Sequence, residues 1–310
     1  MAFCFFGQSR RMAAAVGNLR MRVSFSLKKA AFIAFAGAAV VFTTAFFVAP
    51  DPGALPPPAF VQSGSAGGAP APPLYVYGNP AVSLENILVR VVYFMPKGSG
   101  GGVDDFAESA VFLKEEIFPQ IAAFHSREFQ GVSRVEFSLF SQPVFGVSDR
   151  NAYEKDFLDV SVSDPLRMIE QEVEGRILRE GGDLYDATFA RNVAGTYHIL
   201  LIAYGAPIPS ATFAGQEWRV PGMAGDAGTT TALVFRSMTD PQMRSLWPNA
   251  AAVIAHELLH TMGVPEQYDP RSSGLMAQRA NRRDIMGSGV AEPIAATFIG
   301  DDVKRAMGLY

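Results

Sequence analysis

Between Pro248 and Met262 the chain reads PNAAAVIAHELLHTM. A helix over these residues is apolar nearly all round, through Ala250, Ala251, Ala252, Val253, Ile254, Ala255, Leu258 and Leu259. Such a helix belongs inside a core, so the rest of the chain must fold around it. It takes His256, Glu257 and His260 in with it, and buried polar groups are costly unless something partners them. Four residues make little more than one helical turn, so His256 and His260 project from one face and can hold one ion through their imidazole nitrogens. Glu257 starts on the neighbouring edge, where it can accept the proton of a metal-bound water as general base. The bland alternative is a core helix whose histidines bond to backbone.

Catalytic zinc takes three protein ligands and leaves a fourth position for water. The four histidines are His125, His198, His256 and His260, so no histidine downstream of His260 can be the third. Gly263 suits the left-handed turn that ends helices, and that turn swings the chain back toward the metal. Glu266, three residues on, is the expected third ligand. Asp269, Asp284 and Glu292 are the alternatives. The two aspartates could instead brace the loop or a ligand histidine.

The spacing His256, Glu257, His260, Gly263, Glu266 resembles the H-E-x-x-H-x-x-G-x-x-H/D pattern of the metzincin zinc peptidases. The run GVPEQYD, 263–269, is similar to that of the immune-inhibitor-A type of secreted bacterial peptidase. DIMG, 284–287, looks like the methionine turn that metzincins place beneath the metal, with Met286 as packing and not as ligand. Glu266 stands where the pattern has His or Asp, and Ser288 where some of these enzymes have a tyrosine. The resemblance implies a single α/β (α+β) catalytic domain, a twisted mixed sheet packed on the active-site helix. In such a fold the stretch Gly222–Gly228, GMAGDAG, would rim the cleft beside an edge strand that pairs with extended substrate. As a surface loop it needs no such role.

The remaining patterns agree with an α/β domain. Residues 87–95, ILVRVVYFM, read as a strand and 97–102 as a glycine-rich turn. Apolar residues at Phe106, Ala110, Leu113, Ile117, Ile121 and Phe124 predict a helix over 104–129. Residues 134–140 alternate at period two. Asp164 and Pro165 predict the start of a helix running to about 180. YHILLIAY, 197–204, reads as a central buried strand, 230–235 as a further strand, and 301–307 as a last helix. The order favours a mixed, mostly parallel sheet. His125 falls on a helix and His198 on a strand, where both read as structural; Tyr268 reads as loop packing.

The N-terminal part differs in kind. Residues 30–49 form twenty residues without a charge, enough to span about 30 Å of hydrocarbon as a helix. Six basic residues and no acid accompany this run within residues 1–49, which predicts N-in, C-out insertion. The organisation expected is a basic cytoplasmic segment at 1–29, a transmembrane anchor or cleaved signal at 30–49, a Pro/Ala/Gly-rich linker at 50–74 and a metallopeptidase-like domain at 75–310. Met21 offers a second possible start. Beyond residue 49 the chain keeps 20 basic against 30 acidic residues, the wrong balance for binding nucleic acid. Its sole cysteine is Cys4, so no disulfide supports the domain.

The function expected is a zinc endopeptidase acting on protein or peptide outside the cytoplasmic membrane, held to that membrane through residues 30–49. A zinc hydrolase of a non-protein amide or ester, such as cell-wall material, is the second reading, and an inactive metal-binding interaction domain the third.

Overall fold

The computed structural model describes residues 2–3, 74–99, 103–157, 164–184, 195–207, 210–213, 216–219, 221–224, 230–265 and 283–310. The described residues fall within one compact unit. The apolar run at 30–49, the linker to residue 73, and Glu266, Tyr268 and Asp269 lie outside the described residues. Among those described, no helix is long and apolar enough to cross a membrane.

The strands in chain order are β1 (Ala2–Phe3), β2 (Tyr75–Val76), β3 (Asn79–Ser83), β4 (Asn86–Lys97), β5 (Arg134–Leu139), β6 (Val144–Asp149), β7 (Tyr197–Tyr204), β8 (Ser210–Phe213), β9 (Gln216–Arg219), β10 (Gly222–Ala224) and β11 (Thr231–Phe235). The helices are α1 (Val103–Phe112), α2 (Phe118–Glu128), α3 (Arg150–Glu154), α4 (Arg167–Arg179), α5 (Arg236–Thr239), α6 (Ala250–Thr261) and α7 (Asp301–Ala306). A π-helical stretch, Leu113–Ile117, joins α1 to α2, so the predicted helix over 104–129 is continuous but locally widened.

The main sheet runs β1-β10-β11-β7-β4-β5, with β6 also on β4. β11, β7, β4, β5 and β6 are parallel; β10 lies antiparallel to β11, and β1 antiparallel to β10. This is the mixed, mostly parallel sheet expected. β6 and β10 were not expected, being short and carrying no alternating pattern. The helix expected from Pro165 begins at Arg167 instead. Asp164 does not cap it; Pro165 and Leu166 form a turn, and the N–H groups of Ile169 and Glu170 donate to the Leu166 carbonyl.

Strand side chains alternate faces, and the core divides accordingly. Ile87, Val89, Val91, Tyr93 and Met95 of β4 join Ile199 and Leu201 of β7 beneath α1, α2 and α6. Val92 and Phe94 join Leu200, Ile202 and Tyr204 on the opposite face, covered by Ile169, Val173 and Ile177 of α4. The all-apolar strand 197–204 is thus buried from both sides. α6 is buried over every residue. It is pinned at both ends: the Asn249 side-chain amide donates to the Val290 carbonyl at 2.8 Å, and the Tyr197 hydroxyl donates to the Thr261 carbonyl at 2.5 Å.

The β1–β10 pair has a topological consequence. A chain crossing a bilayer at 30–49 carries residues 2–3 and 222–224 to opposite faces, so an inserted molecule cannot contain this pair.

Candidate metal centre

Gly263 and Val264, at the end of α6, set the geometry of His260. Gly263 adopts φ +85°, in the left-handed region that glycine enters without steric cost. The Val264 N–H donates to the Leu259 carbonyl at 3.1 Å and the Gly263 N–H to the His260 carbonyl at 2.9 Å. This pair of bonds is a Schellman turn, and it ends the helix where the sequence predicted. It also turns the Val264 carbonyl back over His260, whose Nδ1 lies 2.8 Å from that oxygen.

His256 is held from elsewhere. Its Nδ1 lies 2.7 Å from the carbonyl oxygen of Ile285. Carbonyl oxygens only accept, so each Nδ1 carries the proton. In a neutral ring so held Nε2 is the acceptor, and the two Nε2 atoms face one another at 2.9 Å, with the ring planes at 88°. Two such atoms converging in a buried site suit a shared cation, a proton or a metal ion. The separation lies within the roughly 4 Å that two zinc–nitrogen bonds of about 2.0–2.1 Å can span. The donor set therefore fits zinc, and it matches the tautomer that second-shell carbonyls impose on metal-binding histidines.

Glu257 is fully buried beside them. It packs against Gly222 of β10, where a side chain would collide with it. That contact was not visible in the sequence, because it joins residues of different elements.

The turn at 284–287 is present, with its methionine in the core. Met286 and Ile285 are fully buried. The Gly287 and Gly289 N–H groups donate to the Asp284 carbonyl at 3.0 and 2.8 Å. The Asp284 carboxylate accepts from the Met286 N–H at 3.0 Å and from the Gly300 N–H. Burial raises this carboxyl above its ordinary value, against those two N–H donors.

Among the described residues no third His, Cys, Asp or Glu joins the histidine pair. The Asp284 carboxylate is engaged in closing its own turn, and Glu292 is exposed at the end of a 3-10 turn. Glu266 and Asp269 lie outside the described residues. His125 is structural: the Ser133 hydroxyl donates to the Leu84 carbonyl, so His125 Nε2–H donates to Ser133 Oγ at 2.8 Å. Burial lowers its pKa to about 4. His198 lies in β7 opposite Leu88 of β4.

No protein-family model matches the chain, and no curated protein matches it. Solved structures do. Archaemetzincin from Methanopyrus kandleri is similar at 16% identity over 72% of this chain and 94% of its own, with a TM-score of 0.34. Catalytically inactive OgpA from Akkermansia muciniphila, solved with an O-glycopeptide substrate, is similar at 15% identity over 72% of this chain and 60% of its own, with a TM-score of 0.41. The chemistry of this site stands on its own residues, and the immune-inhibitor-A likeness rests on a run whose residues 266–269 lie outside the described ones.

Proposed function

We propose that this chain is a zinc-dependent peptidase in which His256 and His260 hold the metal and Glu257 is the general base. The observation that carries the reading is the pair of Nε2 atoms converging at 2.9 Å, each ring fixed by a carbonyl at its Nδ1, next to a buried carboxylate. Zinc bound there would supply Lewis acidity toward a carbonyl oxygen and a water. The protein's own share is to exclude bulk water around Glu257, to hold that carboxylate against β10, and to accept a proton at it for delivery to the leaving amine. A structural zinc site has no use for a base in that place. Glu266 is proposed as the third ligand on the spacing from Gly263.

Peptide hydrolysis by the parent and by Glu257→Gln tests the reading. The variant should keep its zinc and lose about 10²–10⁴-fold in kcat. Equal hydrolysis by both proteins contradicts the role of Glu257. Bound zinc with no cleavage across a broad panel of plain and O-glycosylated peptides moves the assignment to a non-protein amide or ester.

The uncharged run at 30–49 with its basic flank supports a membrane anchor, the domain lying outside. Protease added outside spheroplasts whose membrane is intact should then digest residues 75–310. Full protection contradicts that topology, and is the result expected if residues 2–3 stay paired with β10.

A further inference from the structure

The geometry points to Asp284 as a positioning residue for His256, acting through the turn that follows it. The inference rests on the metal-centre reading for its purpose, but its structural content stands in the metal-free protein.

His260 and His256 are fixed by different means. The partner of His260 is Val264, four residues on, supplied by the turn that ends the same helix. The partner of His256 is Ile285, on a separate segment. Its orientation therefore depends on whatever fixes Ile285. The Ile285 N–H donates to the Phe298 carbonyl at 2.9 Å and the Phe298 N–H to the Arg283 carbonyl at 3.0 Å. Those two bonds hold the segment from one side and leave the peptide between Ile285 and Met286 to be set from the other.

Asp284 sets it. Its carboxylate accepts from the Met286 N–H at 3.0 Å, and that N–H belongs to the same peptide unit as the Ile285 carbonyl. The peptide is planar, so holding its N–H toward Asp284 aims its oxygen the opposite way, toward His256 Nδ1. The same carboxylate takes the Gly300 N–H, which ties the turn to the start of α7. Its backbone carbonyl takes the N–H groups of Gly287 and Gly289. A side chain without an acceptor here would leave both N–H groups without the carboxylate that holds them. Gly300 has no Cβ for the same reason of space, since one built on it would lie 2.7 Å from Asp284 Oδ2 and 2.7 Å from Asp302 Oδ1.

Asp284→Ala removes the acceptor of both N–H groups, and Gly300→Ala crowds the carboxylate from the other side. The full-length protein labelled with ¹⁵N-histidine, stripped of metal, gives the tautomer of each ring from long-range ¹H–¹⁵N correlations. In the parent both rings should be fixed as Nδ1–H. In both variants His256 should average between tautomers while His260 stays fixed. Where the parent binds zinc, affinity should fall about 10–100-fold, the range for loss of an outer-shell partner. A His256 ring still fixed as Nδ1–H in both variants overturns the inference. So does equal averaging of both rings, which would make Asp284 a residue of general stability. A parent that binds no zinc defeats the metal-centre reading and leaves the tautomer result standing by itself.

Discussion

Gly222 and Glu257 are in contact. A Cβ built on Gly222 would stand 2.8 Å from both Cγ and Oε1 of Glu257. β10 therefore forms a wall against which the buried carboxylate rests, and glycine is the residue that lets the wall come this close.

Gly222→Ala should displace Glu257 without touching either histidine. A misplacement of about 1 Å at a reacting group can cost about 10²-fold in rate, and overpacking of this kind costs about 1–3 kcal/mol of stability. Steady-state kinetics beside zinc content check it. The expected outcome is retained zinc with kcat lowered by one to two orders of magnitude,. An unchanged kcat would show that Glu257 does not need this wall.

The third ligand can be separated from its neighbour by affinity. Glu266→Ala should weaken zinc binding and lose activity that added zinc partly restores. Asp269→Ala should bind zinc nearly as well as the parent. Competitive chelator titrations of both variants give the answer, and the reverse ranking moves the ligand assignment to Asp269.

His125 makes the fold sensitive to acid. Burial depresses its folded pKa to about 4 from an ordinary 6.5. From about pH 6.5 downward the unfolded chain binds a proton that the folded chain refuses, so stability falls with pH until about pH 4. The loss is about 3 kcal/mol over that window. Glu128 acts lower. Burial raises its pKa, but the Ile299 N–H, Lys304 and Arg127 outweigh that and hold it below its ordinary 4.5. Its contribution is lost only as pH falls below about that value. Urea denaturation at pH 7.0, 5.5 and 4.5 should show the His125 slope in the parent and a flatter one in His125→Gln, which keeps an N–H for Ser133. Equal slopes would place the sensitivity elsewhere.

What was legible follows from range along the chain. The strand at 197–204 was read to the residue, because an uninterrupted apolar run leaves one arrangement, buried on both faces. The helix expected over 248–262 spans Ala250–Thr261, closed at Gly263 as its φ requires. The histidine pair followed from i, i+4 spacing. The partners that orient it did not, because the carbonyls of Val264 and Ile285 are main-chain atoms and any residue type supplies one. Gly222 was noticed only as part of a glycine-rich stretch; its contact with Glu257 is tertiary. β6 and β10 were missed because strands of six and three residues containing glycine carry little pattern. The π stretch at 113–117 was invisible because a helix widened by one turn keeps apolar residues at spacings of three and four.

The zinc content of the purified full-length protein, measured beside His256→Ala and His260→Ala, tests the central claim most directly. The account predicts about one zinc per chain in the parent and loss of tight binding in both variants, as expected when three protein ligands become two. Stoichiometric zinc retained in both variants, or a parent that binds none at micromolar free zinc, would contradict it.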